Sequence, residues 1–150
     1  MQIKIRKIHP YATMPTYATK GSGCFDLSAV IGMYGGGSAV MNVGTATVFD
    51  TGLAFEIPED HVMLVFSRSG HGFNKNVRLS NCVGVVDADY RGEVKVKLTR
   101  DEHDGGDMVV RSGDRIAQAL VVPAKKVEFV WADELSETER GAGGLGSSGS

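Results

Sequence analysis

The residues with the most chemistry per position lie in Asp87-Ala-Asp-Tyr-Arg-Gly92. Two carboxylates, a phenol and a guanidinium crowd one turn-rich corner, an arrangement that is costly unless it binds something; the alternative is a polar turn on a β-protein. Two further stretches suit an anion. In Ser67-Arg-Ser-Gly70, Arg68 sits beside what reads as the start of one short helix capped by Ser69, where N–H groups are free; a solvated turn accounts for it equally. In Arg140-Gly-Ala-Gly-Gly-Leu-Gly-Ser147 the Gly and Ser amides can wrap phosphate oxygens, Arg140 supplies charge and Leu145 is the single apolar contact. This end reads either as a flexible tail or as a segment that orders on a ligand. Gln118 is the odd polar residue in an apolar run, and a buried amide needs a partner such as a backbone carbonyl.

The elements that must position these groups read as short strands. Cys82 to Val86 is an apolar run, and Val94, Val96 and Leu98 alternate with Glu93, Lys95 and Lys97, so the Asp87 corner reads as the turn of a hairpin. Ile3, Ile5 and Ile8 open the chain with an alternating strand. Pro10 to Lys20 reads as a loop, and Phe25, Leu27 and Ala29 as an edge strand after a glycine-rich bend. Further strands are expected over Ala39–Val43, Thr45–Phe49, Leu53–Ile57, His61–Phe66, Met108–Val110, Gly113–Pro123 and Val127–Trp131. In Gly113–Pro123 the residues Ile116, Ala119 and Val121, with Ala117, are assigned to the core. The spacing predicts no long amphipathic helix. Many short strands argue an antiparallel sandwich or barrel.

A chain of 150 residues fits one domain with a sizeable core. Its net charge of −2 argues against a duplex nucleic-acid binder, so an anion would be met locally. Cys24 and Cys82 lack metal spacing and read as reduced, buried thiols. His9, His61, His71 and His103 form no ligand pair, so no structural zinc is expected. Arg100 to Gly106, with Asp101, Glu102, His103 and Asp104, reads as an exposed connection, with a metal site as the alternative. No apolar run follows the basic N-terminus, so neither a signal peptide nor a membrane span is expected; this points to the cytoplasm, the host's if the chain is viral.

Five segments, in order, resemble the homotrimeric deoxyuridine triphosphate nucleotidohydrolases, or dUTPases. They are Gly23-Cys-Phe-Asp-Leu-Ser-Ala29, Arg68-Ser-Gly70, Gly84-Val-Val-Asp-Ala-Asp-Tyr-Arg-Gly92, Gly113-Asp-Arg-Ile-Ala-Gln118 and Arg140 to Ser147. The resemblance implies an all-β fold, a jelly-roll-type barrel with one short helix, forming a homotrimer whose sites draw on all three subunits. It divides the chain into a barrel over residues 1–135 and a flexible arm over 136–150 that closes on a neighbour's site. The implied reaction is hydrolysis of dUTP to dUMP and pyrophosphate with Mg²⁺ held mainly by the phosphate oxygens, lowering dUTP and supplying dUMP for dTTP synthesis. The implied partners are dUTP, dUMP and further copies of the chain, with no nucleic acid and no membrane.

Roles follow position by position from that resemblance. Asp87 matches the carboxylate that activates water at the α-phosphorus, consistent with an ionised carboxylate accepting a proton. Tyr90 matches the ring that packs on deoxyribose and rejects a 2′-hydroxyl. Asn81, Gly84, Val85, Val86 and Lys95 match the uracil pocket. Arg68, Ser69, Gly70 and Gln118 match phosphate contacts, and Asp26 a carboxylate near the hydrated metal. Arg140, Gly143, Gly144, Leu145, Gly146 and Ser147 match the closing arm.

The chain departs from the family pattern at three places. Leu145 replaces a common Phe, losing base stacking of roughly 1 kcal/mol. Ser67 replaces a common Pro. His71 and Gly72 replace small apolar residues, and His71 reads as a local packing change. Two other readings compete with this one. The dCTP deaminases share the fold but need a Glu base where this chain has Lys97, and Glu93 stands at the wrong offset. A non-enzymatic regulator would use an exposed patch around Tyr34 or the loop after Arg100, and the intact Asp87, Tyr90 and tail argue against lost catalysis.

Overall fold

The computed structural model describes residues 1–101 and 106–144. Among them the strands run β1 (Lys4–Lys7), β2 (Thr16–Tyr17), β3 (Phe25–Ser28), β4 (Ser38–Met41), β5 (Ala46–Asp50), β6 (Leu53–Glu56) and β7 (His61–Phe66). Helix α1 (Ser69–Lys75) follows, then β8 (Val77–Leu79), β9 (Gly84–Val86), β10 (Lys95–Arg100), β11 (Met108–Arg111) and β12 (Arg115–Pro123). Every pairing is antiparallel. The sheets are β2-β3-β12-β7-β9, β5-β10-β8, β1-β6 and β4-β11. The chain is thus all-β with one short helix.

Alternation builds the core. Val96 and Leu98 on β10, Met63 and Val65 on β7, and Leu27 on β3 turn inward and lose nearly all contact with solvent. Strand β12 breaks the rule usefully. Its register against β3 shifts between Arg115 and Ala117, so the neighbours Ile116 and Ala117 are both buried. An inserted residue of this kind re-aims the side chains around it. Ala119 is buried as expected, whereas Val121 is only half-buried. Arg100 is the one fully buried charge among the described residues; its guanidinium donates to the carbonyls of Met41 (3.1 Å) and Gly106.

The structure corrects several sequence expectations. The Asp87 corner closes no hairpin, because β9 pairs with β7 whereas β10 pairs with β5 and β8. Alternation identifies a strand but not its partner. Strand β3 is not an edge; the two-residue β2, within the presumed 10–20 loop, flanks it. Strand β8 had no clear sequence signal. Residues 127–131 form no strand. Among the described residues they have no backbone partner; the bond from Ala124 N–H to Asp60 O (2.7 Å) precedes them, and Val127, Phe129, Val130 and Trp131 are exposed. Neither cysteine is buried: Cys24 is intermediate, and Cys82 is exposed with its backbone at φ 62°. Ser69 is the first helical residue, not its cap; Arg68 holds that position, with no side-chain cap bond. No described helix is long and apolar enough to cross a membrane.

One corner fastens the strands that carry the chemistry. Buried Thr51 Oγ1 donates to the carbonyl of Val94 (2.6 Å) and accepts from Leu53 N–H (3.3 Å). Gly52 N–H donates to Glu93 Oε1 (2.8 Å). Gly52 has φ 68°, and a Cβ there would lie 2.7 Å from that of Ala12, so only glycine fits. Thr51→Val keeps the shape but strands the Val94 carbonyl and the Leu53 amide. We expect a loss of about 1–3 kcal/mol, read as a lower urea midpoint; an unchanged midpoint would show that this tie does not fasten the corner.

Candidate active site

A hollow of about 590 Å³ opens where β9 and β10 diverge. Asn81, Gly84, Val85, Val86, Asp87, Tyr90 and Lys95 all line it, so the seven residues chosen from this stretch converge on one place. Strand β9 is the edge of its sheet, paired on one side only, by β7. Its other side offers unpaired backbone N–H and C=O groups, the pattern that recognises the polar edge of a flat ring. Gly84 brings that backbone close to β7, since a Cβ there would lie 3.1 Å from Val65 Cβ.

Tyr90 is held at both ends. Its N–H bonds to Asp87 O (3.2 Å), closing a turn, and its hydroxyl donates to Glu93 O (3.0 Å). The ring lies over Gly92, where a Cβ would approach the hydroxyl oxygen to 2.5 Å. Arg91 folds back onto the carbonyls of Ala88 (2.5 Å) and Tyr90 (3.1 Å), which fixes the corner. Asp87 is exposed and also borders a second hollow of about 650 Å³ that includes Asp89, Lys125 and Lys126. Lys95 reaches Asp50 (2.5 Å) and Glu93 (3.1 Å), and these bonds raise its pKa above the ordinary lysine value. Sequence reasoning missed Ser80 and left Glu93 and Lys97 without a place in the pocket, although all three line it. The alternation of Glu93 and Lys97 with core valines was the available signal.

The other cluster surrounds a hollow of about 310 Å³ lined by Asp26, Arg68, Ser69, Gly70, Arg115 and Gln118. Strand register makes it: Gln118 on β12 faces Asp26 on β3 and Phe66 at the end of β7. Gln118 Nε2 donates to Ser67 O (3.0 Å), the carbonyl partner expected for an amide in an apolar strand. Ser67 Oγ accepts from Leu79 N–H (2.9 Å) and so ties the turn to β8. Asp26 receives Arg68 Nε at one oxygen (3.1 Å) and Arg115 Nη1 at the other (3.0 Å). Arg115 was not singled out from sequence.

The two hollows share no lining residue, so one chain does not bring Asp87 and the Arg68 turn into one cavity. Arg140, Gly143 and Gly144 line neither hollow. Arg140 Nε donates to Gly143 O (2.8 Å) in an exposed local turn. Leu145, Gly146 and Ser147 lie outside the described residues. Among the described residues no cluster of three or more His, Cys, Asp or Glu is placed to hold a metal ion.

A family model described as dUTPase matches residues 10–149. The deoxyuridine 5′-triphosphate nucleotidohydrolase of Nautilia profundicola is 38% identical over 149 residues, covering 99% of each chain. That of Helicobacter pylori is 41% identical, covering 99% of this chain and 97% of its own. A structure of the Staphylococcus bacteriophage 80alpha dUTPase with dUpNHpp superposes with a TM-score of 0.87 at 25% identity, covering 99% of both chains.

His71, in α1, presents a buried Nδ1 with no partner. Burial first, and then the charge of Arg68, hold its pKa below the ordinary 6.5; Arg115 adds to this and Asp114 opposes it. The folded chain therefore keeps this imidazole neutral at pH values where the unfolded chain takes up a proton. The linked stability is complete above about pH 6.5 and is lost as pH falls below it toward the folded value. Between pH 7 and pH 5 the melting temperature of His71→Leu is expected to fall less steeply than that of the wild type. Parallel slopes would rule His71 out.

Proposed function

The chain belongs to the dUTPase family, and we propose that it hydrolyses dUTP to dUMP and pyrophosphate with Asp87 as the residue that activates water. The observation that carries this reading is one hollow holding the free edge of β9, the Tyr90 ring and the Asp87 carboxylate together. The β9 backbone pairs with the edge of uracil, and a backbone so close leaves no space for a 5-methyl group. The Tyr90 ring, fixed between Asp87 and Glu93, packs on the deoxyribose and leaves no space for a 2′-hydroxyl. The dUpNHpp in the bacteriophage 80alpha structure, an analogue of dUTP, supports this substrate.

Asp87 then takes a proton from a water molecule as its oxygen bonds to the α-phosphorus. The bond from that phosphorus to the bridging oxygen breaks, and pyrophosphate leaves with the electron pair. Mg²⁺, when bound to the phosphate oxygens, neutralises part of their charge. Asp26 suits a water-mediated contact to such an ion, because each carboxylate oxygen has a second lone pair beside the one its arginine uses.

The separation of the two hollows supports a homotrimer in which another subunit brings Arg68, Ser69, Gly70 and Gln118 to the Asp87 hollow. So does the exposed apolar run at 127–131, since contiguous exposed apolar surface marks an interaction site. In this reading residues 1–135 form the barrel, and the arm, 136–150, closes over a neighbour's site with Arg140 and its glycine amides on the phosphates.

Pyrophosphate release should be measured for dUTP, dCTP, dTTP and UTP, with Mg²⁺ and with excess chelator. Release from dUTP alone, lost with chelator, is the expected result; release from dCTP instead would overturn the substrate. Asp87→Asn should bind dUTP yet turn it over at least about a hundredfold more slowly, and normal turnover would remove Asp87 from its role. Gly92→Ala drives a methyl group into the Tyr90 hydroxyl. The preference for dUTP over UTP, as the ratio of kcat/KM values, should narrow by about tenfold; an unchanged ratio would show that the ring does not exclude the 2′-hydroxyl.

A further inference from the structure

We propose that Lys97 is a specificity-determining residue of the Asp87 hollow: its ammonium donates to the exocyclic oxygen at position 4 of a pyrimidine base and disfavours the amino group that cytosine carries there. The identity of the base rests on the dUTPase reading; the unpaired cation itself rests on geometry.

Val94, Val96 and Leu98 are buried, so Glu93, Lys95 and Lys97 share the opposite, outward face, and all three line the hollow. Other polar side chains on this face already have partners. Lys95 bonds to Asp50 (2.5 Å) and Glu93 (3.1 Å). Arg78 makes two bonds to Asp101 (2.7 and 3.1 Å). The Ser80 hydroxyl lies 2.6 Å from that of Thr99. Opposite Lys97 on β5 stands Val48, exposed and without a polar group. The Lys97 backbone is held, its carbonyl accepting from Ser80 N–H (2.9 Å). Its ammonium has no hydrogen bond or ion pair among the described residues. It is therefore an exposed cation on the wall of the hollow with nothing to neutralise it.

Position along the strand says which atom it meets. Residues on one face of a strand follow each other at about 7 Å, so Lys97 is farther along β10 from the Asp87–Tyr90 corner than Glu93 or Lys95. With the Tyr90 ring on the deoxyribose, the base points away from that corner. The ring carbon opposite the glycosidic nitrogen is C4, so its substituent lies farthest from the sugar, toward the end where Lys97 stands. An ammonium has three donors and no acceptor. The carbonyl oxygen of uracil at C4 accepts from it. The amino group of cytosine there is a donor, and donor meets donor with neither satisfied. A hydroxyl or an amide could turn an acceptor toward that amino group; a lysine cannot, so it rejects as well as attracts. The oxygen at C2 is common to both bases and carries no discrimination. A carboxylate in place of Lys97, with acceptors only, would favour the amino group instead.

The test is equilibrium binding of dUMP and dCMP to the full-length chain, beside kcat/KM for dUTP and dCTP with Mg²⁺. The wild type should bind dUMP more tightly than dCMP. Lys97→Met keeps the apolar stem and removes the charge. In it the ratio of the two Kd values should narrow at least about tenfold, the usual scale for a lost hydrogen bond from a charged donor, and chiefly through weaker dUMP binding. Lys97→Glu should narrow it further or invert it. 4-Thio-dUMP, whose sulfur is a weak acceptor, locates the contact: it should bind the wild type less tightly than dUMP does, and the two should bind Lys97→Met alike. Sulfur at position 2 should have the same effect on both chains.

An equal loss for dUMP and dCMP in Lys97→Met would overturn the proposal, because the charge would then act on the shared phosphate and not on the base. So would an unchanged ratio, a wild-type chain that binds the two alike, or a contact that follows position 2 in place of position 4. Lys97→Gln serves if the methionine variant fails to fold, and the same outcomes decide. The two readings fail separately. A preference for dUMP that depends on Lys97, in a chain that does not hydrolyse dUTP, would sink the reaction and spare the base contact. Hydrolysis of dUTP with no effect at Lys97 would do the reverse.

Discussion

The site exists because β9 hydrogen-bonds to β7 while β10 hydrogen-bonds to β5 and β8. The chain between them must cross from one sheet to another, and the hollow lies in the gap that this crossing leaves. A closed hairpin would have used the backbone groups of β9 on both sides and left none for a ligand. The divergence keeps one edge free and places Asp87 and Tyr90 in the lining. Thr51 and Gly52 hold the far wall by gripping Val94 and Glu93, so a corner outside the pocket fixes its width.

Electrostatics divides labour between the two hollows. The Asp87 hollow is mixed in charge: Asp87 and Glu93 line it with Lys95 and Lys97, Lys95 is taken by Asp50 and Glu93, and Asp87 stays exposed. The Asp26 hollow is cationic, with one carboxylate set between two guanidiniums. A nucleotide with a flat polar base at one end and a string of anionic phosphates at the other requires both environments. One chain keeps them apart, and in the proposed reading a partner subunit joins them. The exposed Val127, Phe129, Val130 and Trp131 are the apolar surface that such an assembly would cover.

Membership of the family places the reaction, while the details of the fold explain why particular residues serve it. Gln118 sits in an apolar strand because the carbonyl of Ser67 satisfies its amide. Arg100 tolerates complete burial through the carbonyls of Met41 and Gly106. His71 Nδ1, like Arg100 Nε, is buried without a hydrogen-bond partner among the described residues, and burial with the charge of Arg68 holds the pKa of His71 below the ordinary value, which disfavours a third positive group beside Arg68 and Arg115.

Local pattern was enough for much of this. Alternating Val94, Val96 and Leu98 marked a strand, turn-forming residues marked the Asp87 corner, and the spaced segments around Asp26, Arg68, Asp87 and Gln118 carried the resemblance to the dUTPase family. These signals are legible because they depend on neighbours in sequence: the period of a pleated strand, or the conformations a turn residue can adopt. Strand partners depend on long-range pairing, which the period of two leaves open. That is why the hairpin reading of the Asp87 corner failed and β3 proved to be an interior strand. The same limit hid Arg115, whose importance comes from sharing Asp26 with an arginine 47 residues away. It also explains residues 127–131, which alternate like a strand but find no partner among the described residues of their own chain. The sequence by itself determined which elements form and which groups could act; only the tertiary structure decided which edges stay open and which charges face each other, because both are set by contacts between residues far apart along the chain.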